Sequence, residues 1–151
     1  MSKQGDAAYA WFLRGYNCSQ SVVAAFAPQL GLTEEMALRL SAGFGAGIGR
    51  MREVCGAFCG VVTVLSMVYA DPTDPKDKSR MYALVQQAAE QYRTRNGGGS
   101  IICRELLAKA HHWIRKPGTC TRIELKRFRM QGHYRSLQGQ QVLEEGRGAG
   151  I

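Results

Sequence analysis

Apolar residues recur at the spacing of an α-helix through most of the first hundred residues. Ala8, Trp11 and Phe12 predict the buried face of a first helix. Asn17 is the predicted N-cap of a second helix, which continues to Gly31. No segment alternates apolar and polar residues strongly enough to require a sheet. The pattern therefore favours helices from the start of the chain.

A third helix is predicted to begin after Thr33, which is a good N-cap residue. Met36, Leu40 and Phe44 recur every four residues and are expected to form its buried apolar stripe. The glycine-rich segment 43–50 cannot be a comfortable helix interior, because glycine lacks the side chain that restricts the backbone. It is predicted to be a tight turn that allows close backbone approach.

The uncharged run Val54–Ala70 predicts a central helix that is apolar nearly all round. Its 17 residues lie at the lower limit for crossing a membrane. The run also contains Gly56, Gly60, Thr63 and Ser66. A buried core helix is therefore the prediction, and no membrane span is expected.

An amphipathic helix is predicted to start at Asp74-Pro75 and to end at 96–99 (Asn-Gly-Gly-Gly). Its apolar stripe contains Met81, Leu84, Val85, Ala88, Ala89 and Tyr92. Ser100 is the predicted N-cap of a short helix after it. The predicted fold is all-α, a single-domain bundle of five or six helices around the central helix (about 54–70).

The excess of positive charge lies mainly in the last third of the chain. Its 151 residues, 45% hydrophobic, suit one globular domain with a formal net charge of +8. Residues 1–100 hold ten Lys or Arg against eight Asp or Glu, whereas residues 101–151 hold ten against four. We therefore predict a helical cysteine-motif domain, 1–115, and a basic, loose and partly disordered tail, 116–151. Phe128 and Tyr134 lie among the basic residues, which leaves a nucleic-acid-binding or interaction module as one alternative.

The first residues lack the basic segment and continuous apolar run of a secretory signal, because Asp6 and Arg14 interrupt the sequence. A cytoplasmic protein is therefore expected. In a reducing compartment, cysteines serve as metal ligands or redox groups more often than as structural disulfides.

Five cysteines are the strongest chemical signal in the chain: Cys18, Cys55, Cys59, Cys103 and Cys120. Most lie near predicted helix starts, where the positive end of the helix dipole favours a thiolate. A thiolate can bind a metal or attack a disulfide, but a cysteine can equally serve as a small buried apolar residue. Cys55 and Cys59 are four residues apart, so they could supply two ligands or two core side chains.

These residues also follow one another in a recognisable order. Asn-Cys-Ser-Gln at 17–20 precedes the glycine turn 43–50 and then Cys-Gly-Ala-Phe-Cys-Gly at 55–60, with Cys103 and Cys120 after them. The arrangement resembles the redox-active C_GCAxxG_C_C family over about residues 8–120. Members of that family are small helical proteins proposed to bind a metal or an iron–sulfur centre. A similar module accompanies a haem domain in split-Soret-type cytochromes.

The resemblance implies a redox-active or electron-transfer protein with an iron–sulfur cluster or another thiophilic metal. It implies four ligands, Cys18, Cys55, Cys103 and Cys120, with Cys59 as an extra cysteine at a variable position. Glycine backbones would approach the sulfurs at Gly43, Gly45, Gly47, Gly49 and Gly56. The redox partner is not identified, and the chain has no Cys-x-x-Cys-His haem motif. The tail from about Lys116 departs from the amphipathic helix that members usually have.

Other interpretations of the function have less support from the sequence. A metal-free thiol–disulfide protein stays an alternative, and it requires two cysteines with Cα atoms within about 7 Å. Arg50 stands where a nucleotide-binding Gly-x-Gly-x-x-Gly would need its last glycine. His111 and His112 are adjacent, so on a helix they point in different directions and predict a surface pair. No Ser–His–Asp or paired-carboxylate arrangement assigns an enzymatic reaction.

Overall fold

The computed structural model describes residues 3–96 and 99–110, and it confirms the predicted all-α class. The described residues contain six α-helices and one 3₁₀ turn, joined by loops. They are α1 (Lys3–Leu13), α2 (Cys18–Phe26), α3 (Glu34–Ser41), the 3₁₀ turn (Ala42–Phe44), α4 (Gly56–Tyr69), α5 (Lys78–Arg95) and α6 (Cys103–Ala110). The described part contains no strand, only an isolated antiparallel pair formed by Val54 and Ile102.

The predicted central helix is confirmed as α4, which packs most extensively against α2. Gly60 lets the two helices approach closely, because a Cβ atom there would lie 2.9 Å from Val22 Cβ. Phe58, Val61 and Val64 of α4 are buried in the main core. A second, smaller core joins α1, α2 and α3 and contains Trp11, Val23, Ala24, Ala27 and Ala37.

The second helix starts where the sequence predicts but ends earlier. Asn17 caps α2, and the helix stops at Phe26 rather than at Gly31. Pro28 has no N–H group to donate to the carbonyl four residues earlier, so it cannot extend the helical hydrogen bonding. Residues 27–31 form turns instead, and Gly31 takes a φ of +65°.

The predicted apolar stripe of the third helix is wrong. Met36, Leu40 and Phe44 are 55%, 38% and 36% exposed, whereas Ala37 and Ser41 are fully buried. The small side chains pack inward because they allow α3 to lie close to α2. Ser41 Oγ donates a hydrogen bond to the Ala37 carbonyl at 2.6 Å, so its burial leaves no hydroxyl without a partner.

The predicted start of the amphipathic helix is also wrong. Asp74 and Pro75 lie in a turn, and α5 begins only at Lys78, after Asp77. The Asp74 carboxylate accepts the Lys76 N–H at 2.8 Å, a local bond that favours a turn over a helix. The predicted apolar stripe itself is confirmed. Met81, Ala89 and Tyr92 are buried, and Leu84, Val85 and Ala88 pack against the core.

Several predictions fall on residues outside the described ranges. They concern Cys120, His111, His112 and the basic tail 116–151, so these remain predictions. Among the residues that are described, no helix combines the length and apolarity needed to cross a bilayer.

Candidate functional site

Three cysteines occupy the starts of three different helices. Cys18 is the first residue of α2, Cys55 is the N-cap of α4, and Cys103 is the first residue of α6. Their side chains are 7%, 0% and 2% exposed. The positive ends of three helix dipoles are thus associated with three buried sulfur atoms, an arrangement that favours negative charge on sulfur.

The position of Cys18 is fixed by a capping box. Asn17 Oδ1 accepts hydrogen bonds from the N–H groups of Ser19 and Gln20, both at 3.0 Å. Gln20 Oε1 accepts the Asn17 N–H at 3.2 Å in return. Asn17 Nδ2 also donates to the Ala42 carbonyl at 2.9 Å, so the start of α2 is tied to the 3₁₀ turn. The sequence signal for this cap is direct, because Asn and Gln stand three residues apart.

The starts of α4 and α6 are joined through their backbones. The Cys55 N–H donates to the Ile101 carbonyl at 2.8 Å, and the Cys103 N–H donates to the Glu53 carbonyl at 2.6 Å. Each cysteine directly follows a member of the bridge pair formed by Val54 and Ile102. These two hydrogen bonds hold the start of α4 beside the start of α6.

This pairing corrects the predicted start of α6. The helix begins at Cys103, two residues later than a Ser100 N-cap would place it. The backbone of Ile101 is hydrogen-bonded to that of Cys55, so the helix does not begin at Ile101. Ser100 Oγ accepts the Ile102 N–H at 2.9 Å and donates to Glu105 Oε2 at 2.5 Å.

Three glycines allow the segments to approach each other. A Cβ atom on Gly56 would lie 2.5 Å from Cys18 Sγ and from the Phe44 carbonyl oxygen. On Gly47 it would lie 2.6 Å from Cys103 Cβ, and on Gly45 it would overlap the Asn17 side chain. All three distances are shorter than a side chain tolerates, so glycine is required at these positions.

The other two glycines singled out by the sequence have different surroundings. A Cβ atom on Gly43 would have no atom within 4 Å, and one on Gly49 would meet only the Gly43 carbonyl oxygen at 4.0 Å. A side chain at either position would therefore have room, and the implied approach of their backbones to a sulfur atom stays a prediction. Gly49 has a φ of +56°, a left-handed conformation that glycine adopts at little cost.

The glycine turn has an unusual backbone. Residues 46–50 all have positive φ, between +55° and +74°, and three of them, Ala46, Ile48 and Arg50, are not glycine. A positive φ costs a non-glycine residue about 1–2 kcal/mol, and a β-branched residue such as isoleucine adopts it rarely. Strain of this kind is concentrated at functional sites, where surrounding structure maintains it.

Cys59 differs from the three cysteines at helix starts. It lies within α4 and is half-buried. Burial, and secondarily the charge of Cys55, raises the pKa of the Cys59 thiol from 9.0 to about 11. Its thiol therefore ionises less readily than an exposed cysteine, which makes it a weaker nucleophile.

Two residues that the sequence did not single out contact the sulfurs. The Arg52 guanidinium nitrogen Nη1 lies 4.0 Å from Cys103 Sγ. The Tyr92 hydroxyl donates to Cys55 Sγ at 3.3 Å. Arg52 lies just after the glycine turn, a position that could have drawn attention to it. Nothing in the sequence separates Tyr92 from the apolar stripe of α5, because the contact joins residues 37 positions apart.

The donor set suits a soft metal, since buried thiols at helix starts are typical ligands for iron–sulfur clusters and other thiophilic metals. Within residues 3–96 and 99–110, however, no three His, Cys, Asp or Glu side chains are arranged to hold a metal ion. Cys120, the fourth implied ligand, lies outside these ranges. The chemistry of the donors therefore fits, but the described residues do not form a complete site by themselves.

Comparison with known families identifies the module. Residues 16–131 match the family model described as "Putative redox-active protein (C_GCAxxG_C_C)". The chain belongs to this C_GCAxxG_C_C family. The match covers more than half of the chain and includes the three helix-start cysteines, the glycine turn and Cys120. No curated protein and no solved structure gives a significant match.

Proposed function

We propose that this family member is an electron-transfer protein in which Cys18, Cys55, Cys103 and Cys120 bind an iron–sulfur cluster or another thiophilic metal. The observation that carries the proposal is the placement of three buried cysteines at three helix starts joined by close backbone contacts. A bound iron–sulfur cluster would accept and donate single electrons. The protein would supply thiolate ligands and shield them from water.

Positive charge near the sulfurs opposes the cost that burial places on a thiolate. Helix dipoles act on all three cysteines, and the Arg52 guanidinium near Cys103 Sγ adds a positive charge. A thiolate is the form of cysteine that binds a metal. Cys59 is left out of the ligand set because it lies inside α4 rather than at a helix start, although it is four residues from Cys55.

Metal analysis of anaerobically purified protein tests this proposal directly. We expect the wild-type protein to hold iron and to absorb visible light, either as isolated or after reconstitution with iron and sulfide. Replacing Cys18, Cys55, Cys103 or Cys120 by serine should abolish or strongly reduce the bound metal. Cys59→Ser is the matched control and should keep it.

A colourless, metal-free wild-type protein after reconstitution would contradict the metal proposal. So would equal metal content in Cys59→Ser and in all four ligand variants. Circular dichroism of each variant distinguishes loss of metal binding from loss of the helical fold.

A second candidate function, thiol–disulfide exchange without a metal, is favoured by one specific contact. Cys18 Sγ lies against Gly56, the residue that follows Cys55. Cys18 and Cys55 are therefore the pair to test, and a disulfide between them requires Cα atoms within about 7 Å.

In this second reaction, the two thiols of Cys18 and Cys55 would form a disulfide. A partner disulfide would accept their two electrons and two protons and become two thiols. Thiol titration and peptide mapping measure the result. A reversible loss of two thiols in metal-free protein, mapped to Cys18 and Cys55, would support exchange. A constant thiol count after oxidation would exclude it.

A further inference from the structure

Helix α5 contains no cysteine, yet one of its side chains, that of Tyr92, contacts the sulfur atom of Cys55. Tyr92 lies in the last turns of α5, and its side chain is 2% exposed. Its hydroxyl donates a hydrogen bond to Cys55 Sγ at 3.3 Å. Cys55 is itself fully buried, so water does not compete for this contact.

The direction of the Tyr92 hydroxyl is fixed by packing. The ring lies against Phe58, with 5.3 Å between ring centroids and an angle of 59° between the planes. Phe58 is on α4, three residues after Cys55, so the same helix holds both the ring and the sulfur. A phenylalanine would fill this space without the cost of burying a hydroxyl. Core packing alone therefore does not require the hydroxyl, whose contribution is the hydrogen bond to Cys55.

We propose that Tyr92 is a positioning residue whose hydrogen bond to the Cys55 sulfur raises the reduction potential of the redox centre. The physical reason is that a hydrogen-bond donor stabilises whichever state carries more negative charge on sulfur. That state is the reduced one, both for a metal centre bound by thiolates and for a dithiol–disulfide pair in which the reduced Cys55 is a thiolate. This inference rests on the proposed redox function and does not depend on which of the two centres is present.

Replacing Tyr92 by phenylalanine removes the donor and keeps the ring. We expect the equilibrium constant for reduction to fall about tenfold, since a buried hydrogen bond to a charged group has an effect of that order. A tenfold change corresponds to about 30 mV for a two-electron couple and about 59 mV for a one-electron couple. Tyr82→Phe is the matched control, because Tyr82 lies on the same helix and is 62% exposed.

A second variant shifts the potential in the opposite direction. Incorporation of 3-fluorotyrosine at position 92 makes the phenol a stronger donor and should raise the potential of the centre. It also retains the hydroxyl, so the inference stays testable if Tyr92→Phe does not fold. Redox titration of the intact protein, followed by absorbance or by thiol counting, measures all of these potentials.

The outcomes separate this inference from the function on which it rests. A lower potential in Tyr92→Phe, a higher one in the fluorotyrosine protein and no change in Tyr82→Phe would support it. A reversible couple in the wild type whose potential is unchanged by both substitutions at position 92 would overturn this inference alone. The absence of any reversible couple in the wild type would overturn the proposed function and this inference together.

Discussion

At the scale of single residues, Cys55 and Cys59 show how position changes the chemistry of one side-chain type. The two are four residues apart, but Cys55 occupies the N-cap position of α4 and accepts a hydrogen bond from Tyr92. Cys59 lies inside the helix, where its N–H already donates to the Cys55 carbonyl at 2.9 Å. Its thiol donates to the Val54 carbonyl at 3.9 Å. The sequence left open whether both were ligands or both were core, and the structure gives them different surroundings.

The raised pKa of Cys59 predicts a specific pH dependence of stability. Burial in the folded protein raises the pKa of the thiol from 9.0 to about 11. Because the folded state holds the proton more tightly, this contribution to stability is fully present below about pH 9 and is lost as the pH rises through 11. Urea unfolding from pH 8 to 11 should therefore show wild type losing stability relative to Cys59→Ala.

Comparison with Cys59→Ala removes the effects of lysines and tyrosines that titrate in the same range. Parallel stability curves for the two proteins across this range would contradict the prediction. A second measurement is alkylation at pH 8, where a two-unit rise in pKa leaves about a hundredfold less thiolate. Peptide mapping should find Cys59 to be correspondingly slow to react.

At the scale of the elements, helix caps fix the positions of the functional side chains. Asn17 and Thr33 are both caps that the sequence predicts and the structure confirms. The two caps differ in the groups that they bond and in the residues beside them. Asn17 accepts two backbone N–H groups and donates to Ala42, directly beside Cys18. Thr33 accepts one N–H group, that of Met36 at 3.2 Å, and no cysteine lies beside it.

This difference predicts separable effects of two cap mutations. Asn17→Ala should lower the free energy of unfolding by about 1–2 kcal/mol and make the Cys18 thiol more reactive. Thr33→Ala, the matched control, should cost about 1 kcal/mol and leave Cys18 protected. Urea denaturation measures the stabilities, and the rate of Cys18 modification by a disulfide reagent measures its protection. Equal Cys18 rates in the two variants would show that the cap does not position the cysteine.

Elements were predicted best where local signals agree. The capping box, the uncharged run and the stripe of α5 each fix a helix through contacts between near neighbours. The stripe of α3 failed because hydrophobicity alone ranks Met36 and Leu40 above Ala37. Close helix packing against α2 instead selects the smaller side chain, and this requirement is not encoded in the periodicity of α3.

At the scale of the whole molecule, the site depends on contacts between distant segments. The bridge joins residues near 54 to residues near 102, and it brings α6 to the start of α4. Arg104 and Glu53 form an ion pair across the same junction at 2.7 Å, although both side chains are exposed. Exposed pairs contribute about 0–1 kcal/mol, so the backbone pairing and the buried side chains hold the junction together.

The paired backbone predicts a common opening event. The N–H groups of Cys55 and Cys103 each donate across the junction, so detachment of α6 frees both. Native-state hydrogen exchange should therefore give these two amides the same free energy of opening. The Cys59 amide is the internal control, because its bond to the Cys55 carbonyl lies within α4 and should persist. Fast exchange at Cys103 with full protection at Cys55 would show that the junction does not open as one unit.

The sequence by itself determined the helical class, the central helix, the cap of α2 and the order of the family's cysteine and glycine motifs. These follow from hydrophobic periodicity, capping chemistry and residue spacing, which act over a few residues. Only the tertiary structure decided which small side chains of α3 face inward and which glycines meet a cysteine. It also placed Tyr92 on Cys55 and Arg52 beside Cys103. Those contacts join residues 37 and 51 positions apart, and such pairings depend on how whole helices pack rather than on any local pattern.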